Sequence, residues 1–153
     1  MINYLYITLI LFILSFYSSS SYGFSEKDLE TFNKTNVCIN CDLSGAIFKK
    51  SDLSNAVLTG SNLDKVNFWR ANLSNANLEN CSLQQANLKR VNFENANMNG
   101  AIFHFSIIRN AKMDGATAIR ANFSKTKIKK TNLKNVKFCE TIMPYGIDNS
   151  GCD

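Results

Sequence analysis

The chain has 153 residues, 45% hydrophobic and 19% charged, which describes one domain and excludes a disordered tail, a collagen-like repeat and a multi-span membrane protein. A single His beside five Cys leaves little material for a catalytic zinc site or a His-based triad. The 17 basic and 12 acidic residues give a formal charge of +5, which favours an anionic partner without naming one.

The first segment, residues 1–23, carries no charged side chain and predicts a secretory signal peptide. Leu5 to Phe16 is almost continuously apolar, and a serine run, Ser18 to Ser21, leads to small residues suited to cleavage. The apolar core is shorter than the roughly 20 residues that a spanning helix needs. Since no Lys or Arg precedes it, an uncleaved membrane anchor remains the alternative. Export would place the cysteines in an oxidising compartment: the periplasm, a lumen or the exterior.

Residues 24–40 form a predicted capping segment that contains a short helix over about residues 25–35. Ser25 is the expected N-cap, and Phe24 and Leu29 have the spacing of a hydrophobic staple. We expect the helix to cover the open edge of the structure that follows, because exposed β-edges invite association.

Cys38 and Cys41 form a Cys-x-x-Cys pair at the entry to the next segment. A redox-active pair needs a βαβ context, which the sequence lacks, and a zinc site would need two further ligands nearby. A small structural disulfide and a free pair are therefore the two interpretations that remain.

A period of five residues runs without a slip from Cys41 to Tyr145 and gives 21 consecutive blocks. The first position of every block is small, and the third is large and apolar in 20 of 21 blocks, the exception being Ala118. This period fits neither a helix nor a plain strand. It fits a coil in which the small and the large residue point inward. At Ala118 we expect neighbouring side chains or Ile119 to lean over the gap, or a tolerated cavity.

Blocks such as Ala71–Asn75 and Ala86–Arg90 match the motif A(D/N)LXX directly, and through them the sequence resembles the pentapeptide-repeat family. The resemblance implies an all-β fold, a right-handed quadrilateral β-helix or solenoid with four blocks per coil. Residues 41–145 would then form about five coils, roughly 25 Å long at about 4.8 Å per stacked strand. Residues 146–153 would be a C-terminal capping tail.

The segment from Cys139 resembles the closing segment of many family members, Cys-x-Thr-x-Met-Pro-x-Gly followed by a second cysteine. The resemblance implies a disulfide between Cys139 and Cys152 that pins the tail across the last coil. Cys81 faces inward, two coils or about 9.6 Å from Cys41, beyond the roughly 7 Å limit for a disulfide. Cys81 is therefore predicted to be a buried free thiol.

Arranging the sequence with a period of 20 brings eight basic and no acidic residues to one corner of the coil. We call this set the basic corner: Lys49, Lys50, Trp69, Arg70, Lys89, Arg90, Arg109, Asn110, Lys129 and Lys130. Trp69 is predicted to relieve the repulsion through cation–π contacts with Lys49 and Lys89. The functional interpretation is a ridge that binds anionic polymers or lipid headgroups. The alternative is a solvated face whose outward positions accept any polar residue.

No nucleophile–base pair, acid pair, phosphate loop or metal cluster emerges, so we expect no enzyme activity, no catalytic residues, no cofactor and no metal. The leading interpretation is an exported, non-enzymatic scaffold or binding protein. Its partner stays open among an anionic polymer, lipid headgroups and a protein, and a homodimer is also open. Nucleic acid is disfavoured because Trp69 alone makes no stacking platform.

Two other functions remain in view. One is a cytoplasmic regulator resembling the gyrase-protecting family members, whose acidic, rod-shaped surface imitates DNA. Here the repeat carries 15 basic and 7 acidic residues, an excess of eight, and the predicted signal peptide precedes it. Both features oppose mimicry. The other is a purely structural protein of an envelope or a lumen.

Overall fold

The computed structural model describes residues 23–152, so the predicted signal peptide lies almost wholly outside the described residues. The elements are one helix and five three-residue strands: α1 (Glu26–Thr35), β1 (Asn87–Lys89), β2 (Ile107–Arg109), β3 (Lys127–Lys129), β4 (Thr141–Met143) and β5 (Gly146–Asp148). Within this described part of the chain, no helix has the length and apolar character needed to cross a membrane.

Parallel pairing between residues 20 apart organises the whole repeat. β1, β2 and β3 form a parallel sheet in which Leu88, Ile108 and Ile128 are successive partners. Isolated parallel bridges with the same separation run along the rest of the repeat, such as that between Asn77 and Asn97. Four blocks therefore make one coil, as the resemblance implies, and every block except 131–135, where Asn132 has no bridge, places its second residue in the ladder.

The core is a linear stack of first-position and third-position side chains. Phe48 and Phe68 stack with ring centroids 5.5 Å apart, and Phe103 and Phe123 stack at 4.5 Å. Each large side chain buried in this way contributes roughly 1.5–3 kcal/mol. Ala118 is fully buried. How its neighbours fill the space stays a prediction.

Each corner is a tight turn closed by its backbone, and the fifth residue of the block adopts a left-handed conformation. In the first block the amide of Ala46 donates to the carbonyl of Leu43 at 3.1 Å. The fifth residue has a φ between 51° and 75° in 19 of the 21 blocks. Positive φ at the third residue of a four-residue turn is the mark of a type II turn. The five-residue period by itself does not indicate this conformation.

Side-chain hydrogen bonds explain why the second position of each block prefers Asp and Asn. The side-chain oxygen of Asn72 accepts from the amide of Ser74 at 3.2 Å, and the Asn92 side chain donates to the same oxygen at 3.2 Å. One side chain thus closes its own turn and bonds the next coil. Asp42 and Asp52 occupy this position and serve the same structural purpose.

The predicted capping helix is present and is tied to the first coil by hydrogen bonds and aromatic packing. Ser25 is the N-cap, and its hydroxyl accepts from the amide of Asp28 at 3.2 Å. The carboxylate of Asp28 reaches across and accepts from the amide of Asp42 at 2.9 Å. Phe32 is buried, with its ring edge against Phe48 at a centroid distance of 5.4 Å. Hydrogen bonds and an apolar contact therefore both join α1 to the repeat.

Both cysteine pairs are disulfides. Cys139 is bonded to Cys152, as the resemblance implied, with Cα atoms 4.8 Å apart. Cys38 is bonded to Cys41 with Cα atoms 5.5 Å apart, which decides between the two interpretations of that pair. Cys81 is free and buried, as predicted. The tail folds back as an antiparallel hairpin of β4 and β5, so the parallel stack ends in a different geometry.

The last coil departs from the regular pattern in the block 131–135. Asn135 lacks the positive φ of other fifth residues, and its carbonyl accepts from Gly115 at 3.2 Å, one residue out of step with equivalent bonds elsewhere. Its side chain donates to Asp114 at 2.6 Å. Leu133 is only partly buried. The coil beneath the C-terminal hairpin is therefore less tightly closed than the central ones.

Candidate anion-binding site

The basic corner is built from the fourth and fifth residues of one block in each coil. β1, β2 and β3 hold Lys89, Arg109 and Lys129 as direct partners in the parallel ladder. The amide of Arg70 donates to the carbonyl of Lys89 at 3.0 Å, and the amide of Arg90 to the carbonyl of Arg109 at 2.8 Å. Neighbouring strands lie about 4.8 Å apart, so the structure stacks these predicted residues in adjacent coils.

The positive charge of the basic corner is not balanced by carboxylates. Among residues 23–152 the ion pairs are Lys34–Glu30, Lys112–Glu94 and Arg120–Glu140, and none involves the basic corner. Trp69 and Lys89 are half-buried, and the other members of the corner are exposed. Like charges on adjacent strands repel one another. The corner is therefore a surface on which a bound anion would relieve repulsion.

Trp69 organises one end of the basic corner. Lys49 Nζ lies 4.6 Å and Lys50 Nζ 5.6 Å from the centre of its ring, and Arg70 Cζ lies 4.5 Å away. The predicted contact with Lys49 is confirmed. Lys89 is not among the cations over the ring in the described residues, so that part of the prediction is wrong. Arg70, the immediate chain neighbour of Trp69, is one of the two cations the prediction did not name.

Long cations occupy the left-handed position along this corner, where Asn and Gly are the favoured residues. Arg70 and Arg90 both have a φ of 59°. The φ values of Lys50, Asn110 and Lys130 are 61°, 52° and 51°. A side chain with an ordinary Cβ costs roughly 1–2 kcal/mol in this region, whereas Asn and Gly visit it readily.

Other corners show what the fold prefers at the same position. One corner has only favoured residues there: Asn55, Asn75, Asn95 and Gly115. Another departs from the preference with Lys65, Gln85, Phe105 and Lys125, but it mixes charged, polar and aromatic side chains. In the basic corner every unfavoured residue at this position is a cation and no carboxylate stands beside it, whereas Asp64 precedes Lys65 in the other corner, and this combination is what calls for a functional explanation.

A shallow groove of about 330 Å³ lies in the middle of the basic corner. Its lining is formed by Trp69, Lys89, Arg90, Arg109 and Asn110. Its three cations are Lys89, Arg90 and Arg109. None of them forms an ion pair or a side-chain hydrogen bond with another described residue. Arg and Lys donors without protein acceptors can bind a carboxylate, sulfate or phosphate group. Sequence periodicity brings these residues together, but it does not indicate the groove.

The titrating groups outside the basic corner have structural explanations. Hydrogen bonds from Ser54 and Asn72 hold the pKa of exposed Asp52 below its usual value. Burial raises the pKa of the Cys81 thiol to about 12. Across the described part of the chain, no group of three or more His, Cys, Asp or Glu is arranged to hold a metal ion.

Family models match most of the repeat. A model described as pentapeptide repeat region matches residues 37–89, and one described as pentapeptide repeats, eight copies, matches residues 106–143. No curated protein matches the chain.

Solved structures of pentapeptide repeat proteins share the fold. Rfr23 from the cyanobacterium Cyanothece 51142 is 22% identical, with 76% of this chain and 97% of that chain covered and a TM-score of 0.59. A protein from the Arabidopsis thaliana thylakoid lumen is 24% identical, with 82% and 77% covered and a TM-score of 0.52. At these identities the likeness concerns the fold alone, and it implies a right-handed β-helix.

Proposed function

We propose, from the premise that this chain belongs to the pentapeptide-repeat family, that it is an exported, non-enzymatic scaffold or binding protein. In this proposal a right-handed quadrilateral β-helix of about five coils presents the basic corner to anionic partners. The observation that carries the proposal is the row of eight cations without a carboxylate, four of them at left-handed positions. Such residues lower stability, so a binding role accounts for them better than neutral drift does.

Export is supported by two features that are independent of the basic corner. Residues 1–23 have the pattern of a signal peptide, and disulfides at both ends of the repeat suit an oxidising compartment. The intact mass of the expressed protein, alkylated without reduction, tests this part. We expect loss of residues 1–23 and protection of four cysteines. A full-length chain with five free thiols would contradict export and would favour the cytoplasmic alternative.

The two rival functions make different predictions. A DNA-mimicking regulator needs an acidic surface, and the positive excess of the repeat opposes this role. A purely structural protein needs no anion affinity, so it predicts that changes at the basic corner leave binding unaltered. Enzyme activity has no support in the groove, whose lining contains no carboxylate or histidine to act as a general base and no hydroxyl or thiol nucleophile.

The test compares two variants that lose the same charge. The corner variant replaces Lys89, Arg90, Arg109 and Lys129 with Ser, and the control replaces Lys27, Lys65, Lys125 and Lys134 with Ser. Retention on a dextran sulfate column is measured against an uncharged dextran column. We expect the corner variant to elute at clearly lower salt than the control, because adjacent cations act together on one polymer. Equal elution of the two variants would show that net charge alone acts, and the proposal would fail.

A further inference from the structure

The groove at the centre of the basic corner differs from the rest of it, and we infer that it is a discrete site for a phosphate monoester group. The inference rests on the proposed function and narrows it from anions in general to one chemical group. It depends on how the cations divide, on the charge they present and on the rigidity of the backbone beneath them.

Six of the eight cations of the basic corner fall into two sets with different surroundings, and the other two, Lys129 and Lys130, are not part of the groove lining. Lys49, Lys50 and Arg70 lie over the ring of Trp69 at 4.5–5.6 Å. The three cations of the groove are Lys89, Arg90 and Arg109. These three have no ion pair and no cation–π partner among the described residues. Lys129 and Lys130 have no such partner in the described chain either, but Lys89, Arg90 and Arg109 are the cations that line one groove and can act together on one ligand.

The number and type of donors favour a phosphate monoester over a carboxylate. A phosphate monoester carries about −1.5 to −2 charges at neutral pH and three strong acceptor oxygens. A carboxylate carries one charge on two oxygens in one plane. Two guanidinium groups and an ammonium group supply three positive charges, more than one carboxylate can balance. Asn110, the one uncharged fifth residue of the corner, adds a neutral donor for an oxygen of the ester.

The backbone holds these side chains at fixed points. Lys89 and Arg109 are direct partners in adjacent strands, and the Arg90 amide bonds the Arg109 carbonyl at 2.8 Å. The Cα atoms are therefore ordered before a ligand arrives, which reduces the entropy lost on binding. Trp69 lines one side of the groove. Because three cations already lie over its ring, it offers no free platform on which a nucleobase could stack.

Trp69 is the only tryptophan in the chain, so its fluorescence reports directly on the groove. The protein is titrated with glycerol phosphate, inorganic phosphate and acetate at constant ionic strength. We expect saturable binding of both phosphates, about tenfold tighter than any response to acetate, because phosphate has more charge and more acceptors. Equal responses to phosphate and acetate would overturn the inference.

Two matched double variants locate the binding. One carries Arg90→Asn and Arg109→Ser, and the other carries Lys129→Ser and Lys130→Asn. Each pair removes one fourth-position and one fifth-position cation from the basic corner. We expect the first pair to weaken glycerol phosphate binding about tenfold or more and the second to change it by less than about threefold.

The outcomes separate this inference from the function on which it rests. If both double variants weaken phosphate binding equally while dextran sulfate retention persists, the whole basic corner binds anions uniformly, and the inference of a discrete site is overturned. If the native protein binds glycerol phosphate but is not retained on dextran sulfate, the proposed function fails while the discrete site stands. Phosphatidylcholine vesicles with and without phosphatidic acid identify the source of the group. Binding to phosphatidic acid vesicles or to soluble glycerol phosphate supports the site, and binding to neither overturns it.

Discussion

The fifth residue of each block shows how backbone conformation and side-chain chemistry compete at a single position. The turn requires a left-handed backbone, which Asn and Gly accept with little strain. Where the chain places Arg or Lys there, stability is lost in exchange for a charge in a fixed location. Binding and stability should therefore respond in opposite directions to the same substitution.

Arg90→Asn tests this opposition. We expect the free energy of unfolding to rise by about 1 kcal/mol, because Asn removes the conformational penalty at a φ of 59°. Thermal denaturation measures the change. Arg109→Asn is the matched control, since Arg109 precedes the left-handed residue, and we expect its effect to stay within about 0.5 kcal/mol. Equal shifts for the two variants would show that relieved charge repulsion, and not backbone strain, is responsible.

Gly60 combines the left-handed conformation with a close contact between coils. Its φ is 71°, and an added Cβ would collide with the side-chain oxygen of Asn40. We expect Gly60→Ala to destabilise the protein by about 1–3 kcal/mol in chemical denaturation. Gly45→Ala is the control, because Gly45 has a φ of 75° and an open surrounding. If Gly45→Ala lowered the free energy of unfolding as much as Gly60→Ala, the contact with Asn40 would not be the cause of the destabilisation.

The buried thiol of Cys81 gives the protein a specific response to alkaline pH. Burial raises the thiol pKa from 9.0 to about 12, so the unfolded chain loses this proton before the folded one. Stability from this group is complete below pH 9 and falls between pH 9 and about 12. We expect Cys81→Ser to show a shallower decline in denaturation midpoint over that range. Parallel curves for the two proteins would contradict this.

At the scale of elements, the two ends of the repeat are held by disulfides that close loops of different length. Cys139 and Cys152 are 13 residues apart, whereas Cys38 and Cys41 are 3 apart. A longer loop restricts the unfolded chain more, by about 3 kcal/mol for a loop of this larger size.

Replacing each pair with Ser should therefore have unequal effects. We expect the loss of the C-terminal bridge to lower the free energy of unfolding by about 2–4 kcal/mol, and loss of the N-terminal bridge to lower it by less. Urea denaturation under non-reducing conditions measures both. The reverse order would mean that the Cys38–Cys41 bridge stabilises the folded first coil directly.

The elements differ in how far the sequence could predict them. The helix start at Ser25 follows from local signals, and the stacking of cations 20 residues apart follows from the four blocks per coil that the family resemblance implies. The reach of Asp28 to Asp42 depends on how α1 lies over the first coil, and no local pattern encodes that placement. The partners of Trp69 depend on side-chain rotamers, which a period cannot supply. The irregular block at Asn135 has an ordinary sequence, and its distortion arises where the coil meets the C-terminal hairpin.

At the scale of the whole molecule, the fold and the basic corner depend on different periods. The turns repeat every five residues, but partners in the ladder recur every 20. The core accepts any block with a small first residue and a large third residue. The alignment of surface charges needs complete coils.

Because of this difference, the surface charges stay aligned only when whole coils are kept, whereas the core needs only whole blocks. Deleting one block, such as residues 96–100, would keep every turn and every inward side chain of the remaining blocks. It would also move Arg109 and all later cations round to the neighbouring corner, leaving two short rows in place of one. Only insertions or deletions of whole coils, in multiples of 20 residues, preserve the row of cations. The inward pattern of small and large residues, in contrast, survives the gain or loss of any complete block of five.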